Sequence, residues 1–593
     1  MTPIMSNKIV VKFDYDKIND VYDIFCITTD KKHFKFSSLI LDIPLLEKNI
    51  CSIYYESGKS MFILMWHNSN NKSKLMESLS PLPEFDNITV VLKRSYDIPK
   101  ETLLQLLFNS LANYQSEELK FNNLSGHLYC FCPAWLKHRA KDYAIMKIPC
   151  LELKITKDCF LNFEIHTFTS EELRNKMKFG KTKYEDYPKY ILSGHNTLRR
   201  KLKDDKEKAY IMRQTANSKT ELPFMDIQNI DKFNQSKLGV VTKVLEQFKK
   251  RFSNYAEFEF ETISSYKFED YTSIVAKENK AAILSKLTDA KIRIVDCIGE
   301  CYSQDLAEEI QKILFEKYSL KSTIGKRISK NCLNIRIIHN AEYYDENDPH
   351  DEKFDGISVQ HITYEDFADN AVSGISTVIN ELLIKDDLNK GQITLFDWEK
   401  LNFVNDITFG LKSESEGLEK YYFMTVHNDG KFEIYEEKLD LFNQQRYSEY
   451  VQIYSDSNDI CGMIIDDKNN INVIKKTGWI TMPEIFKIKK ELSSGNTQIR
   501  GKLKRDELLS SVLDIKSFVI NGEQYYFSGT IGNGMRWTIN KAANIRKFES
   551  YGNSKLMFDD MLKLMNVTFV RNGQLTVIPF PFKYLREYIQ LDI

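Results

Sequence analysis

Apolar and polar positions alternate in short runs through the first 110 residues. IVVKFDY, YDIFCITT, FILMW and ITVVLKR each show the period-two pattern of a strand with one buried face. ETLLQLLFNSLANY shows the helical period instead. A β-rich N-terminal domain over residues 1–110 with one helix is expected. LELKITKDCFLNFEIHTFT continues as paired strands, and SKLGVVTKVLEQFKKRF is an amphipathic helix expected to pack as a spacer. These lie in a linker region over 111–289.

From residue 290 the rhythm changes. KIRIVDC is a short apolar run, Leu306, Ile310, Ile313 and Leu314 recur at helical spacing behind Ser303 as a candidate cap, and LNIRIIHN reads as a buried strand. Strand, helix, strand in this order predicts a parallel, Rossmann-like sheet with ligands at the strand ends, where the acidic loop Asp345 to Glu352 departs. This gives a domain over 290–395. After Lys390, YYFMTVHNDGKFEIYEE turns at Asn428, Asp429 and Gly430, and CGMIIDDKNNINVI turns between Asp467 and Asn470. With a helix from Pro483 and the strand VINGEQYYFSG they make a last domain over 396–593. The fold class is α/β multidomain.

At 593 residues, 42% hydrophobic and 12% aromatic, the chain has length for about four domains and more than one core. Its net charge of −1 excludes a global basic field, so any nucleic-acid site must be local. No apolar run has membrane-spanning length and MTPIMSNKIVVKFDYD lacks a charged-then-apolar leader, so a cytoplasmic protein is expected. The ten cysteines are scattered and should be reduced.

The most basic segment is 171–214. Lys181, Lys183, Arg199, Arg200 and Lys201 are interleaved there with Tyr184, Tyr187, Tyr190 and His195, a mixture that suits a groove tracking a nucleic-acid backbone. Asp204, Asp205 and Glu207 in the same run offer local pairing instead. Arg536, in the glycine-rich FSGTIGNGMRW, is a further candidate for a backbone phosphate; the Gly-Lys-Ser/Thr of a phosphate loop is missing.

Two metal chemistries also present themselves. His127, Cys130, Cys132 and His138 are zinc-ligand types, but two cysteines one residue apart on a strand do not close a tetrahedral site. Glu152 and Lys154 spell the E-x-K of PD-(D/E)xK-type nucleases, with Asp142 upstream as a second carboxylate for Mg²⁺. Charged residues alternating on an exposed strand face give the same letters.

Tyr344, Gly356, Val359 and Gln360 resemble, without a gap, the Tyr…Gly-x-x-x-Gln run of the MID domain of Argonaute proteins. Lys385 and Lys390 resemble the two lysines that end the motif after a shift of a few residues, and VTFVRNGQLTVIPFPFKYLREYI is similar to the Argonaute C-terminus. The resemblance implies a Rossmann-like MID domain over 290–395 and an RNase H-like PIWI domain over 396–593. It implies that Tyr344 stacks on a first base while Gln360, Lys385 and Lys390 hold the 5′ end of a short guide DNA or RNA. Where the family has another lysine this chain has Asp348, so either the end is bound differently or a cation such as Mg²⁺ bridges it.

RNase H-type cleavage needs several carboxylates converging on two metals. YYFMTV contains none, Asp466 and Asp467 sit at a hairpin tip, Asp559 and Asp560 fall on a helix, and Arg571 with Asn572 occupies a place where an acid is wanted. The resemblance therefore implies a PAZ-less, slicing-deficient Argonaute-like binder that recognises complementary foreign DNA from plasmid or phage and recruits a helicase, nuclease or other effector. The rivals are the Glu152–Lys154 nuclease and a non-catalytic interaction scaffold.

Overall fold

The computed structural model describes residues 4–29, 49–56, 60–80, 88–136, 144–176, 187–194, 197–212, 222–263, 283–287, 290–341, 343–344, 348–368, 371–401, 406–415, 418–438, 447–495, 515–528, 538–539, 542–567, 569–570 and 576–592. The chain is mixed α/β with large antiparallel sheets. It forms two compact units, one of residues 1–265, 478–510 and 530–543, the other of 266–477, 511–529 and 544–593. The hydrophobic pattern marks four segments where packing makes two units. Among the described residues, no helix is long and apolar enough to cross a membrane. All ten cysteines are free thiols.

In the first unit, strands Ile50–Glu56, Ser60–Trp66, Tyr22–Thr29 and Ile88–Lys93 form one antiparallel sheet in that order. Period-two alternation gives it two apolar faces: Phe25, Ile27, Ile53 and Ile63 pack against Leu75 and Leu79, while Ile24, Phe62 and Leu64 join the main core. Lys147–Thr156 and Phe160–Ser170 pair in full register as expected. The helix Lys237–Phe252 is no spacer. Its Leu238, Val240, Val241, Val244, Leu245 and Phe248 are fully buried, and Phe248 stacks on Phe108 of helix Lys100–Asn109 at 4.4 Å. A stripe that wide is a core face, each such side chain contributing about 1.5–3 kcal/mol through burial.

The second unit holds the strand-helix-strand order anticipated from residue 290. Strands β1 (Ile292–Asp296), β2 (Ser322–Gly325), β3 (Leu333–Ile338) and β4 (Val359–Thr363) are parallel in the order β2-β1-β3-β4. Helix α1 (Cys301–Tyr318) joins β1 to β2, and α2 (Ala371–Lys390) follows β4. Ile294, Ile335, Ile337 and Ile362 pack with Leu306 and Ile310 of α1 and with Ile375, Ile379 and Leu382 of α2. Ser303 is not the cap of α1. Glu300 is, and Ser303 stands three residues on, accepting from the Glu300 amide at 3.1 Å and donating to Asp296 at 2.8 Å.

Beyond α2, strands Phe432–Lys438, Leu418–His427, Asp406–Ser415, Ile460–Asp466 and Ile471–Met482 pair successively, and every one of these pairs is antiparallel. The two hairpin turns fall where expected, with Gly430 at φ +80° and Asn469 at φ +62° supplying the left-handed residues. The helix expected from Pro483 spans Ile485–Ser493.

Helix α3 (Pro581–Asp592) packs on α2 through a buried carboxylate. Asp387 is fully buried and accepts from Tyr584 Oη at 2.8 Å, from Thr394 Oγ1 at 3.2 Å and from the Lys286 ammonium. Removing that acceptor leaves the Lys286 ammonium, whose side chain is 17% accessible, without a counter-charge, which costs about 1–3 kcal/mol. Asp387→Ala should therefore lower the urea midpoint of the second unit's unfolding, and Asp387→Leu combined with Lys286→Met should restore part of the loss. Equal midpoints for wild type and Asp387→Ala would refute the assignment.

Candidate functional site

Strand order reverses between β1 and β3, the kind of switch point at which open parallel sheets form a ligand crevice beyond the carboxyl ends. Two loops leave these ends. After β1, Asp296 Oδ1 accepts from the amides of Ile298 and Gly299 at 3.0 and 3.1 Å, a turn that leads into α1 and its exposed Tyr302. After β3 comes His339, buried and tied through Nδ1 to Glu365 Oε1 at 2.6 Å. The other oxygen of Glu365 accepts from the Asn340 amide at 3.0 Å. Burial works to raise the Glu365 carboxyl, but the hydrogen bonds from His339 and the backbone outweigh it and hold the group below the usual carboxylate range.

Aromatic rings gather on this histidine. Tyr343 stacks on it at 3.8 Å and is 64% exposed, and Tyr302 Oη lies 3.4 Å from Nε2. The Tyr302 ring meets Tyr364 at 4.7 Å. Tyr344 turns inward, its hydroxyl accepting from the His339 amide at 3.0 Å. The result is a π-surface at the end of a parallel sheet, of the kind on which an unpaired base stacks.

Each of the four residues named by the sequence has a definite place. Tyr344 is on this surface. Gln360 lies on β4, donating to the His361 carbonyl at 3.2 Å, and Lys385 donates from α2 to the Val359 carbonyl at 2.8 Å, so both are at the amino end of β4 and not at the carboxyl end that His339 follows on β3. Burial pushes the Lys385 ammonium down in pKa against the pull of Glu587 and Glu381. Lys390 ends α2 with a 63% exposed side chain paired to Asp386 at 2.7 Å. No hydrogen bond or ion pair joins any two of the four. Asp348 is turned to His350, accepting from its amide at 2.9 Å and facing its Nδ1 at 2.6 Å. Sequence reasoning missed Tyr302, His339, Tyr343, Tyr364 and Glu365; the Tyr343–Tyr344 doublet just past an apolar strand was the available signal.

The remaining candidates stand apart from the crevice loops in the chain. Arg199 grips Asp205 through both nitrogens at 2.7 and 2.6 Å, Arg200 lies over the Tyr190 ring at 5.8 Å, and Lys201 donates to the Glu207 carbonyl at 2.9 Å. For Arg199 local pairing prevails. Lys181, Lys183, Tyr184, His195 and Arg536 lie outside the described residues, as do His138, Asp142, Arg571 and Asn572. Cys130 and Cys132 are buried in the main core of the first unit. Asp466 caps its own hairpin, accepting from the Lys468 and Asn470 amides at 3.0 and 2.7 Å. Among the described residues, no three His, Cys, Asp or Glu side chains are placed to hold a metal.

Glu152 faces three donors in the first unit. Its Oε1 lies 2.7 Å from His127 Nδ1 and accepts from Tyr129 Oη at 2.8 Å, and its Oε2 forms an ion pair with His166 Nε2 at 2.9 Å. Lys154, on the same strand face, is exposed. Despite the cost of burial, the two histidines hold the Glu152 carboxyl well below its ordinary range, and Glu152 raises His166 above 6.5. The raised histidine adds stability in full below its unfolded pKa of about 6.5 and loses it as pH rises through the folded value. The depressed carboxyl adds stability above its unfolded pKa of about 4.3 and loses it as pH falls through the folded one. The pair therefore stabilises most between those limits. His166→Gln should flatten the fall in melting temperature of the first unit from about pH 6 to about pH 9; parallel pH profiles for variant and wild type would show that the ion pair is idle.

A scan of the sequence against protein-family models finds no match, and a search of curated proteins finds none either.

Proposed function

We propose that the chain binds the end of a short guide DNA or RNA at the carboxyl ends of its parallel sheet and uses it to recognise complementary foreign DNA without cutting it. The observation that carries this reading is the tyrosine surface around His339 at the point of strand-order reversal; Gln360, near the amino end of β4, and Lys385, reaching the Val359 carbonyl from α2, are the donors it would draw on. Stacking supplies sequence-tolerant affinity of about 1–3 kcal/mol per base, and the lysine and amide supply donors for a backbone.

In this reading the segment 290–395 is a MID-like domain and 396–593 a degenerate PIWI-like one. The second assignment rests on the order of elements and on VIPFPFKYLREYI rather than on strand direction, which is antiparallel in the described pairs of the five strands between Asp406 and Met482. The absence of cutting rests on sequence, since YYFMTV offers no carboxylate for a metal. A binder that does not cut acts through something else, and a helicase, nuclease or other effector is the partner proposed. The rival nuclease reading has less support because both oxygens of Glu152 already face histidine or tyrosine donors.

Lys385→Ala combined with Lys390→Ala should strip copurifying short oligonucleotides about tenfold or more, the factor expected for losing charge-assisted contacts of about 1.5–3 kcal/mol each. Tyr343→Ala should weaken binding of a labelled single strand without altering the fold. Unchanged oligonucleotide content in the lysine double variant counts against guide binding. Mg²⁺-dependent cleavage that disappears in Glu152→Ala would favour the nuclease.

A further inference from the structure

Three turns of the first unit meet around a cleft of about 640 Å³, a size that suits a small ligand or a short peptide segment. The first joins strand Ile4–Phe13 to helix Tyr15–Val21, and its Asp14 accepts from the Lys17 amide at 3.2 Å. The second is the turn Ser95–Asp97, where the Ser95 amide donates to Asn19 Oδ1 at 2.9 Å and its hydroxyl to the Tyr15 carbonyl at 3.2 Å. The third leaves helix Lys237–Phe252 and enters strand Ala256–Ile263, its Tyr255 carbonyl accepting from the Asp14 amide at 2.9 Å. Hydrogen bonds between the turns thus hold the walls in one arrangement before any ligand arrives.

The walls are aromatic. Phe13, Tyr15, Tyr96 and Tyr255 line the cleft. The Tyr15 ring lies 5.8 Å from Phe13 and meets Tyr96 edge-on at 6.5 Å, and Tyr255 is backed by the buried ring of Tyr22 at 5.9 Å. Tyr96 is 61% exposed, a large amphipathic ring left in water beside a formed cleft. The hydroxyls of Tyr15, Tyr96 and Tyr255 make no hydrogen bond to another described residue, which leaves them as donors.

Charge selects among the ligands that rings can take. Of the two lysines lining the cleft, Lys17 pairs with Asp14 at 2.7 Å and Lys12 stands directly across the strand ladder from Glu257. Asp16 also lines it, exposed and without an ion pair among the described residues. The nearby Lys249 lies over Phe258 and Phe486, Arg251 lies over Tyr114, and neither lines the cleft. A nucleic-acid backbone would bring phosphates against three carboxylates whose lysines are already engaged. A polyproline II segment meets no such repulsion. Its proline rings lie on aromatic faces, its prolines bring no N–H to satisfy, and its free carbonyls want the donors that the tyrosine hydroxyls and Asn254 supply.

We propose that the cleft between Tyr15, Tyr96 and Tyr255 docks a proline-rich segment of a partner protein in the polyproline II conformation, with Asp16 favouring a basic residue beside the prolines. The site lies in the first unit and does not depend on the strand-end reading of the second.

The test titrates the full chain calorimetrically with oligoproline peptides ending in arginine or in glutamate, and with a single-stranded oligonucleotide. The arginine peptide should bind several-fold more tightly than the glutamate one, and Asp16→Asn should remove that difference. Tyr96→Ala, a surface change, should weaken both peptides about tenfold, and Tyr96→Phe, which keeps the ring and loses the hydroxyl, by less. Absence of peptide binding, or equal affinity in wild type and Tyr96→Ala, overturns the proposal. Peptides that bind alike and are weakened together by Tyr96→Ala uphold the docking cleft and remove the part given to Asp16. An oligonucleotide weakened by Tyr96→Ala, with neither peptide binding, assigns the cleft to nucleic acid and overturns the peptide site.

Discussion

A carboxylate with no access to water dictates the arrangement of the second unit. Asp387 tolerates full burial because Tyr584, Thr394 and Lys286 reach it from three separate segments. Desolvation pushes its pKa up, against the ammonium and the hydroxyls. Any packing of α2 that lost one of these partners would strand charge in a medium where it costs several kcal/mol, so the register of α2 against α3 and residues 283–287 is sharply selected. Lys385 lies two residues before Asp387 on the same helix, and its contact with the Val359 carbonyl inherits that register. An ion pair on a buried carboxylate thus fixes where a candidate ligand lysine meets β4.

The elements that the sequence revealed are those whose physics is local. Residues 333–338 are all buried and read as a strand from their β-branched content alone, and the turns at Gly430 and Asn469 follow from residues that accept positive φ. Long-range pairing leaves no such trace. Met5 pairs with Met482 across nearly the whole chain, which is why residues 478–510 return to the first unit and why a linear division into four segments does not describe the packing. The helix at 237–252 was misplaced for a related reason: amphipathic period shows that a face is buried but not what buries it, and here Phe108 does.

The candidate site was only partly visible for the same reason. Tyr344, Gln360 and Lys385 stand out through spacing in a motif, and of these Tyr344 meets His339. His339 does not, because its role comes from a contact with Glu365, 26 residues away, and from a ring placed on it by Tyr343. Nor does a list of cations reveal their partners. Arg199 looks like a phosphate ligand in sequence and is neutralised in both nitrogens by Asp205. Arg336 looks like a stray charge in an apolar run and is the buried cation with the least aligned compensation among those described in the parallel sheet.

Satisfaction ranks the buried polar groups of this molecule. Glu152 faces three donors, Asp387 three, and Glu365 a histidine and an amide; each lowers the free energy of the fold in the state seen, and each loses by exchanging its partners for a ligand. Arg336 differs in sign and in balance. Its burial cost is met by a thiol, an aromatic face and one loop-borne oxygen, so the free energy of desolvation has already been spent while hydrogen-bonding capacity remains. That asymmetry, rather than the number of positive charges, is what sets Arg336 apart from the carboxylates at 152, 365 and 387.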